Sequence, residues 1–184
     1  MRRAVALTLL LAAGVAGLAS GATTEAQSSR GGVVVQVPTG WKLTGGRVNN
    51  VIDPATVFTA STFSIPKLND SSSGHCSVTL QRAWRADGAY VQLTEVRDEA
   101  SRATTLKRVQ HRPAHFVLSA KGSGGLCTPA DSGSLSFQAK GRAFYVFYGF
   151  GPKASKATRA RAAAMLDAMK IAPRERAIAR FANP

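Results

Sequence analysis

Three histidines are the side chains in this sequence best suited to acid–base or metal chemistry. His111 and His115 have the H-x-x-x-H spacing that places two imidazoles on one face of a helix, where they can bind zinc. Pro113 lies between them, however, and the interior of a helix does not accept proline. Arg112 also stands where zinc proteases carry a glutamate. The sequence therefore predicts two isolated surface histidines, with no metal site and no cofactor.

Nucleophilic catalysis has no local signature in this chain. The pentapeptide G-x-S-x-G, which marks the serine of many hydrolases, is absent. The glycine-rich residues 122–125 lack the Lys-Ser/Thr and the helix that follow in phosphate-binding loops. A triad that combines His75, His111 or His115 with an unmarked serine stays open, because triads assemble from distant residues. No catalytic residue is assigned, and the chain is predicted to be non-enzymatic with a secreted hydrolase as the alternative.

Residues 1–22 have the order of a cleavable signal peptide. Arg2 and Arg3 precede an apolar run over residues 4–18, and small residues follow up to Ala22, where cleavage is predicted. The run is shorter than the about 20 residues that span a bilayer as a helix, although an uncleaved anchor is the alternative. No later apolar stretch is long enough to span, so the mature chain is predicted to be secreted or extracytoplasmic without a transmembrane segment.

The two cysteines, Cys76 and Cys127, follow the signal segment, and export delivers them to an oxidising compartment. We expect one intramolecular disulfide between them. Closing a loop of about 50 residues destabilises the unfolded chain by about 4 kcal/mol in the chain-entropy treatment. A reactive thiol beside His75 is the alternative.

The chain is strongly basic, with 24 Lys and Arg against 10 Asp and Glu. Removal of Arg2 and Arg3 leaves 22 against 10, a net charge of +12. Such a charge attracts polyanions, and export directs the expectation to envelope polymers or an anionic membrane surface rather than to nucleic acid. The basic stretch over residues 97–112 also lacks the interleaved aromatic residues that single-stranded nucleic-acid binders carry. The candidate polyanion contacts are Arg97, Arg102, Lys107, Arg108 and Arg112.

The elements that must position these residues are those of one small domain. Residues 23–32 are predicted to be a flexible leader, residues 33–172 a single α+β domain and residues 173–184 a basic tail. Strands are predicted over residues 33–37, 56–65, 90–96 and 115–119 and a short helix over 77–84, with 97–112 a surface excursion.

The clearest elements lie near the carboxyl end. Residues 134–139 alternate apolar and small polar side chains, Lys140-Gly141 is a tight turn, and residues 142–150 form an aromatic strand, which together predict a β-hairpin whose second strand is central in the sheet. Ser155 is the predicted cap of a helix to about residue 170. Its apolar stripe of Ala162, Met165, Leu166 and Met169 packs on the sheet.

This order of elements resembles a known family. A strand followed by Pro38-Thr39-Gly40-Trp41, then the run from Gly141 to Tyr145, and a terminal helix ending at Met169 are similar to secreted actinobacterial proteins with a PsbP-like fold. The resemblance implies an antiparallel sheet flanked by a carboxyl-terminal amphipathic helix and a short additional helix. It also implies a non-catalytic role, so we expect a binding or accessory module of the cell envelope whose partner is unknown.

Overall fold

The computed structural model describes residues 24–44, 53–65, 83–119 and 131–174. Within these ranges the chain forms antiparallel β-sheets and two α-helices, which confirms the predicted α+β class. The strands are β1 (Thr24–Arg30), β2 (Val33–Pro38), β3 (Lys42–Thr44), β4 (Ala55–Ser61), β5 (Ala89–Val96), β6 (Asp131–Ala139), β7 (Arg142–Phe150) and β8 (Lys170–Ile171). The helices are α1 (Glu99–Leu106) and α2 (Lys156–Ala168). No helix of the described ranges is long and apolar enough to cross a membrane.

The strands are divided between two sheets. One has three strands in the order β1-β2-β8, and the other has five in the order β3-β4-β5-β7-β6. Every residue of β5 is buried, as is typical of an interior strand that is covered on both faces. Strand β7 lies between β5 and β6, so the prediction that the aromatic strand is central is confirmed.

The predicted hairpin is β6 and β7, joined by Lys140 and Gly141. Both turn residues have positive φ angles, +54° and +72°, as the two-residue turn that matches the twist of paired strands requires. Phe137 pairs with Phe144, and their rings stack at 5.2 Å on the side of the sheet that faces the core. The alternation in the sequence therefore sets which side chains of β6 point inward.

The hydrophobic core lies between the five-stranded sheet on one side and the three-stranded sheet and α2 on the other. Helix α2 begins after Ser155, whose hydroxyl accepts a hydrogen bond from the backbone N–H of Thr158 at 3.0 Å, as predicted. The predicted apolar stripe is buried against β2 and β5. It consists of Ala162, Met165, Leu166 and Met169.

Arg142 links the two sheets through a buried guanidinium group. Its Nε and Nη2 donate to the two carboxylate oxygens of Glu95 at 2.7 Å, so a bidentate ion pair joins β5 and β7. Nη2 also donates to the carbonyl of Gly31 at 2.7 Å, and Nη1 donates to that of Ala172 at 3.2 Å. These two carbonyls belong to the turn after β1 and to the residue after β8, so one side chain holds three parts of the chain.

The flexible leader predicted over residues 23–32 is corrected by the structure. Residues Thr24–Arg30 form β1, which pairs with β2 along its length and joins it through Gly31 and Gly32, both at positive φ. Small polar residues gave no apolar pattern to read, but sheet pairing uses backbone groups, which every residue except proline carries in full. The ordered domain therefore begins before residue 33.

Two interpretations of residues 97–119 are also corrected. The predicted surface excursion contains α1, which starts after Asp98, whose carboxylate accepts from the Ser101 N–H at 2.8 Å. The predicted strand over residues 115–119 is an irregular segment held by side chains, because Asp167 accepts the Phe116 N–H at 2.8 Å and the Tyr148 hydroxyl donates to the Ser119 carbonyl at 2.9 Å. The charged and mixed sequence of α1 gave no clear helical pattern. The apolar run over residues 116–118 suggested a strand, but no described strand pairs with it.

Several predictions fall outside the described residues. These are the signal peptide at residues 1–22, both cysteines, most of the helix predicted over 77–84 and the tail beyond residue 174. The strand predicted over 56–65 is β4, which ends at Ser61, so Phe63 and Ile65 lie after the strand and not within it.

Candidate functional site

The histidines and carboxylates of the described chain do not assemble a catalytic group. His115 is 87% exposed, and its Nδ1 lies 3.4 Å from the Asp167 carboxylate, whose other oxygen holds the Phe116 N–H. His111 is exposed and forms one backbone bridge to Gln138. His75 lies outside the described residues. Among described residues, no three His, Cys, Asp or Glu side chains are placed to hold a metal ion.

The five basic residues considered as polyanion contacts have different environments. Arg102 is buried and lies 3.4 Å from Glu99, and Arg97 is 41% exposed and 4.0 Å from Glu95. Lys107 and Arg108 are exposed in the turn after α1. The structure therefore does not present all five together on one accessible surface.

The Arg112 side chain hydrogen-bonds the backbone at the end of α2. Its guanidinium donates to the carbonyls of Leu166, Asp167 and Met169 at 2.7–2.8 Å, at the end of α2. The Leu166 carbonyl also accepts the Met169 N–H at 3.3 Å. Burial lowers the pKa of this guanidinium, while Asp167 nearby raises it. The partly exposed side chain therefore caps the end of α2.

A different group of residues emerges from the register of the five-stranded sheet. Neighbouring residues of β4, β5, β7 and β6 lie in rows across the sheet, and every second row points away from the hydrophobic core. We call three of these rows together the outer face. They are Ser61-Tyr90-Gly149-Ser132, Thr59-Gln92-Phe147-Ser134 and Thr56-Thr94-Tyr145-Ser136.

The outer face contains buried polar atoms without hydrogen-bond partners. The Tyr90 hydroxyl and the Gln92 Oε1 are two positions apart on β5, and neither has a partner among the described residues. The Gln92 amide nitrogen, by contrast, donates to the Thr56 hydroxyl at 3.2 Å. Both side chains are fully buried, and an unpaired buried polar group costs about 1–3 kcal/mol. Native proteins rarely retain such groups without a further role or an enclosed water.

A third such atom is the indole Nε1 of Trp84, which packs over one end of the outer face. The Trp84 ring lies 5.3 Å from the Phe63 ring and 5.9 Å from the Tyr90 ring. Gly149 allows this approach, because a Cβ there would lie 2.6 Å from the indole Cη2. Trp84 Nε1 is buried and has no partner in the described part of the chain.

The rest of the outer face is more open and carries two aromatic rings. Tyr145 and Phe147 on β7 are half-buried, with ring centroids 6.4 Å apart and planes inclined by 21°. The partly exposed Ser134 and Ser136 lie opposite them on β6. Helix α1 closes the far end, since the Gln138 side chain donates to the Leu106 and Val109 carbonyls at 3.1 and 3.0 Å. The open part is therefore bounded by Trp84 at one end and α1 at the other.

The side chains of the outer face are electrically neutral. Burial raises the pKa of Tyr90 well above its ordinary value, so its hydroxyl stays protonated and neutral. None of the twelve positions of the outer face carries Asp, Glu, Lys, Arg or His. The face therefore offers neutral donors, neutral acceptors and aromatic rings.

Sequence reasoning missed this group. The available signal was Gln92, a long polar residue inside a strand that otherwise reads as buried. Residues 134–138 added a second signal, because small polar residues there alternate with the core residues of the hairpin. Neither signal indicates that Trp84, which lies 65 positions before Gly149 in the sequence, covers the same face.

Comparison with known proteins gives no relative to guide the interpretation. No family model matches the chain, and neither a curated protein nor a solved structure matches it.

Proposed function

We propose that this protein is an exported, non-catalytic binding module of the cell envelope, and that its ligand site is the outer face. The observation that carries the proposal is that this face of a basic protein carries no charged residue and presents two half-buried aromatic rings, Tyr145 and Phe147. A ligand can contact these rings and the partly exposed Ser134 and Ser136 beside them.

Export is the part of the proposal that rests on the amino terminus. The basic, apolar and small-residue order of residues 1–22 supports secretion through a cleaved signal peptide. Secretion in turn supports a Cys76–Cys127 disulfide, which mass measurement tests directly. The intact mature chain should gain the mass of two hydrogens on reduction, and an unchanged mass would refute the bond.

The PsbP-like resemblance supports the non-catalytic part of the proposal, since that fold implies an accessory protein. The rival reading, a hydrolase with an unmarked site, requires a histidine beside a nucleophile. Of the described histidines, His115 pairs with Asp167 at the surface and His111 lies at the β6 edge. Neither belongs to the outer face, so the two readings assign function to different residues.

The binding site is tested by thermal unfolding of the mature chain in the presence of envelope polysaccharide, lipid and peptide fractions. A ligand present at about 100 times its Kd stabilises the folded state by about 2.7 kcal/mol, so one fraction should raise the Tm. Tyr145→Ala should abolish this rise, because it removes one of the two half-buried rings from the site.

Tyr148→Phe is the matched control. Tyr148 lies on the same sheet but points to the core, and its hydroxyl already donates to the Ser119 carbonyl. This variant should lose some stability and keep the full response to ligand. If no fraction raises the Tm, or if Tyr145→Ala keeps the full rise, the binding-module proposal fails.

A further inference from the structure

Three exposed basic residues lie together at the end of the molecule that carries the β6–β7 turn. Lys107 and Arg108 follow α1, and Lys140 is the first residue of the turn. None of the three forms an ion pair within the described part of the chain. We call these three residues the cationic cluster. Lys140 lies 32 positions after Arg108 in the sequence, so the fold brings them together.

Gln138 fixes the backbone around the cationic cluster. Its side-chain amide donates to the carbonyls of Leu106 and Val109 at 3.1 and 3.0 Å, on either side of the two cations that follow α1. Lys140 is two positions after Gln138, a step of about 6.6 Å along an extended chain. Because Gln138 already satisfies the Leu106 carbonyl, the end of α1 does not require the two cations as a cap.

The carboxylates on the elements around the cluster are engaged or distant. Glu95 is paired with Arg142 at 2.7 Å. Asp98 and Glu99 lie at the opposite end of α1, about 12 Å away along the helix axis. Asp167 accepts a backbone N–H at 2.8 Å from the segment that follows residue 115. The charge of the cluster is therefore not neutralised by these groups.

Lys140 carries its charge at a position where lysine does not favour the turn. Its φ of +54° lies in the left-handed region, which asparagine and glycine adopt more readily. The next residue is Gly141, and Asn-Gly is a preferred pair for a two-residue hairpin turn. Turn stability therefore does not account for a lysine here, and a residue held in an unfavourable backbone conformation is a reason to look for a function.

The form of the cluster matches a linear polyanion. Its cations project from separate positions on exposed turns, so a chain with repeated negative charges can contact all three at once. The cluster contains no aromatic side chain, whereas binders of single-stranded nucleic acid stack bases on such rings. It also contains no apolar side chain to accompany the cations, and stable attachment to a membrane takes a second signal besides basic residues.

We propose that the cationic cluster binds an acidic polysaccharide of the cell envelope, through ion pairs from Lys107, Arg108 and Lys140 to successive carboxylate groups. The envelope location rests on the export proposed above. The site is separate from the outer face and uses none of its residues.

The test is isothermal titration of the mature chain with polygalacturonate and with its methyl ester, which has the same sugar backbone without the charges. We expect polygalacturonate alone to bind. Added salt should weaken the binding, because the ion pairs form between solvent-exposed charges. Equal binding of the charged polymer and the ester would overturn the proposal.

A matched pair of triple variants separates the cluster from net charge. Lys107→Gln, Arg108→Gln and Lys140→Asn together should weaken polygalacturonate binding at least tenfold. Lys153→Gln, Lys156→Gln and Arg161→Gln remove the same charge from exposed residues at the start of α2 and along it, and should leave the Kd within twofold. Equal weakening by the two triple variants would mean that net charge alone attracts the polymer, which would overturn the proposal.

The single variant Lys140→Asn gives a second readout. It should weaken polygalacturonate binding and raise the urea midpoint of unfolding, because asparagine adopts the left-handed conformation more readily. The higher midpoint also shows that the variant is folded. An unchanged Kd in this variant would remove Lys140 from the site and overturn the three-residue assignment.

The outcomes separate this site from the outer face. Tyr145→Ala should leave the Kd for polygalacturonate within twofold, since that ring belongs to the other surface. Absence of polygalacturonate binding would overturn the cluster proposal and leave the outer face to be judged by the Tm measurement. Anionic phospholipid vesicles that bind more tightly than polygalacturonate, and lose binding in the cluster variant, would assign the cluster to a lipid surface instead.

Discussion

Arg142 and Glu95 form the most deeply buried ionic contact of the described chain. The Arg142 side chain is fully buried, and that of Glu95 is 11% exposed. The guanidinium also lies 5.0 Å from the centre of the Phe144 ring. The Glu95 carboxylate and the face of this ring therefore both stabilise its positive charge. A buried pair of this kind is costly to break on one side, because the remaining charge has no partner.

We expect Arg142→Met to lower the free energy of unfolding by about 3–5 kcal/mol, because it leaves the largely buried Glu95 carboxylate with only the more distant Arg97, at 4.0 Å, as a cationic neighbour. Urea denaturation followed by circular dichroism measures this change. The double variant Arg142→Met with Glu95→Gln should lose less than the sum of the two single variants, since removal of both charges avoids the unpaired state.

Arg85→Met provides the surface comparison for that measurement. Arg85 and Asp87 lie 3.1 Å apart, but both side chains are 64% exposed. A solvent-exposed pair contributes about 0–1 kcal/mol. Equal losses in Arg142→Met and Arg85→Met would contradict the role given to the buried pair.

At the scale of elements, α1 depends on its amino-terminal cap. Asp98 accepts the Ser101 N–H, and this hydrogen bond lowers the pKa of the Asp98 carboxyl below its ordinary value of 3.8. A carboxyl whose pKa is lower in the folded state contributes stability above the unfolded value. That contribution disappears as the pH falls through the lowered folded value, when the carboxyl takes up a proton.

We therefore expect the wild type to lose stability more steeply than Asp98→Asn as the pH falls below about 4. Asparagine also caps helices, but it does not titrate, so the difference between the two proteins isolates the Asp98 carboxyl. Chemical denaturation at a series of pH values measures it. A difference that is independent of pH between 5 and 2 would show that the cap does not depend on the charge of Asp98.

At the scale of the whole molecule, the two sheets depend on a short segment near the carboxyl end. Strand β8 pairs with Val33 and Val34 of β2, the Ala172 N–H donates to the Gly32 carbonyl at 2.8 Å, and the Ala172 carbonyl accepts from Arg142. These contacts connect the three-stranded sheet to a buried side chain of the five-stranded sheet. Residues 170–172 therefore take part in the packing of both sheets.

Truncation tests this connection. A chain that ends at Met169 should lose about 2–3 kcal/mol of stability relative to the full chain, because about three hydrogen bonds are lost and one lies in the Arg142 network. A chain that ends at Arg174 keeps these contacts and should match the full chain, since the sequence of the tail offers little apolar surface to bury. Equal urea midpoints for the two truncated chains would contradict the structural role of residues 170–172.

The amino-acid pattern by itself was sufficient for the elements whose side chains alternate or repeat clearly. The hairpin of β6 and β7 and the capped helix α2 were predicted with their inward residues, because local spacing determines which side chains share a face. Strands β2 and β5 followed from short β-branched runs and alternation. Strand β1 and helix α1 did not, since polar residues carry no pattern and their formation depends on a neighbouring strand or a cap.

Only the tertiary structure decided which residues form the candidate site. Of the residues that the sequence singled out for chemistry, the described histidines His111 and His115 lie at the surface and Arg112 caps the end of α2. The outer face arises because the order β4-β5-β7-β6 brings Gln92, Tyr145 and Ser136 into adjacent rows from distant segments. Whether a buried polar atom has a partner depends on every chain segment packed around it, and no local spacing contains that information.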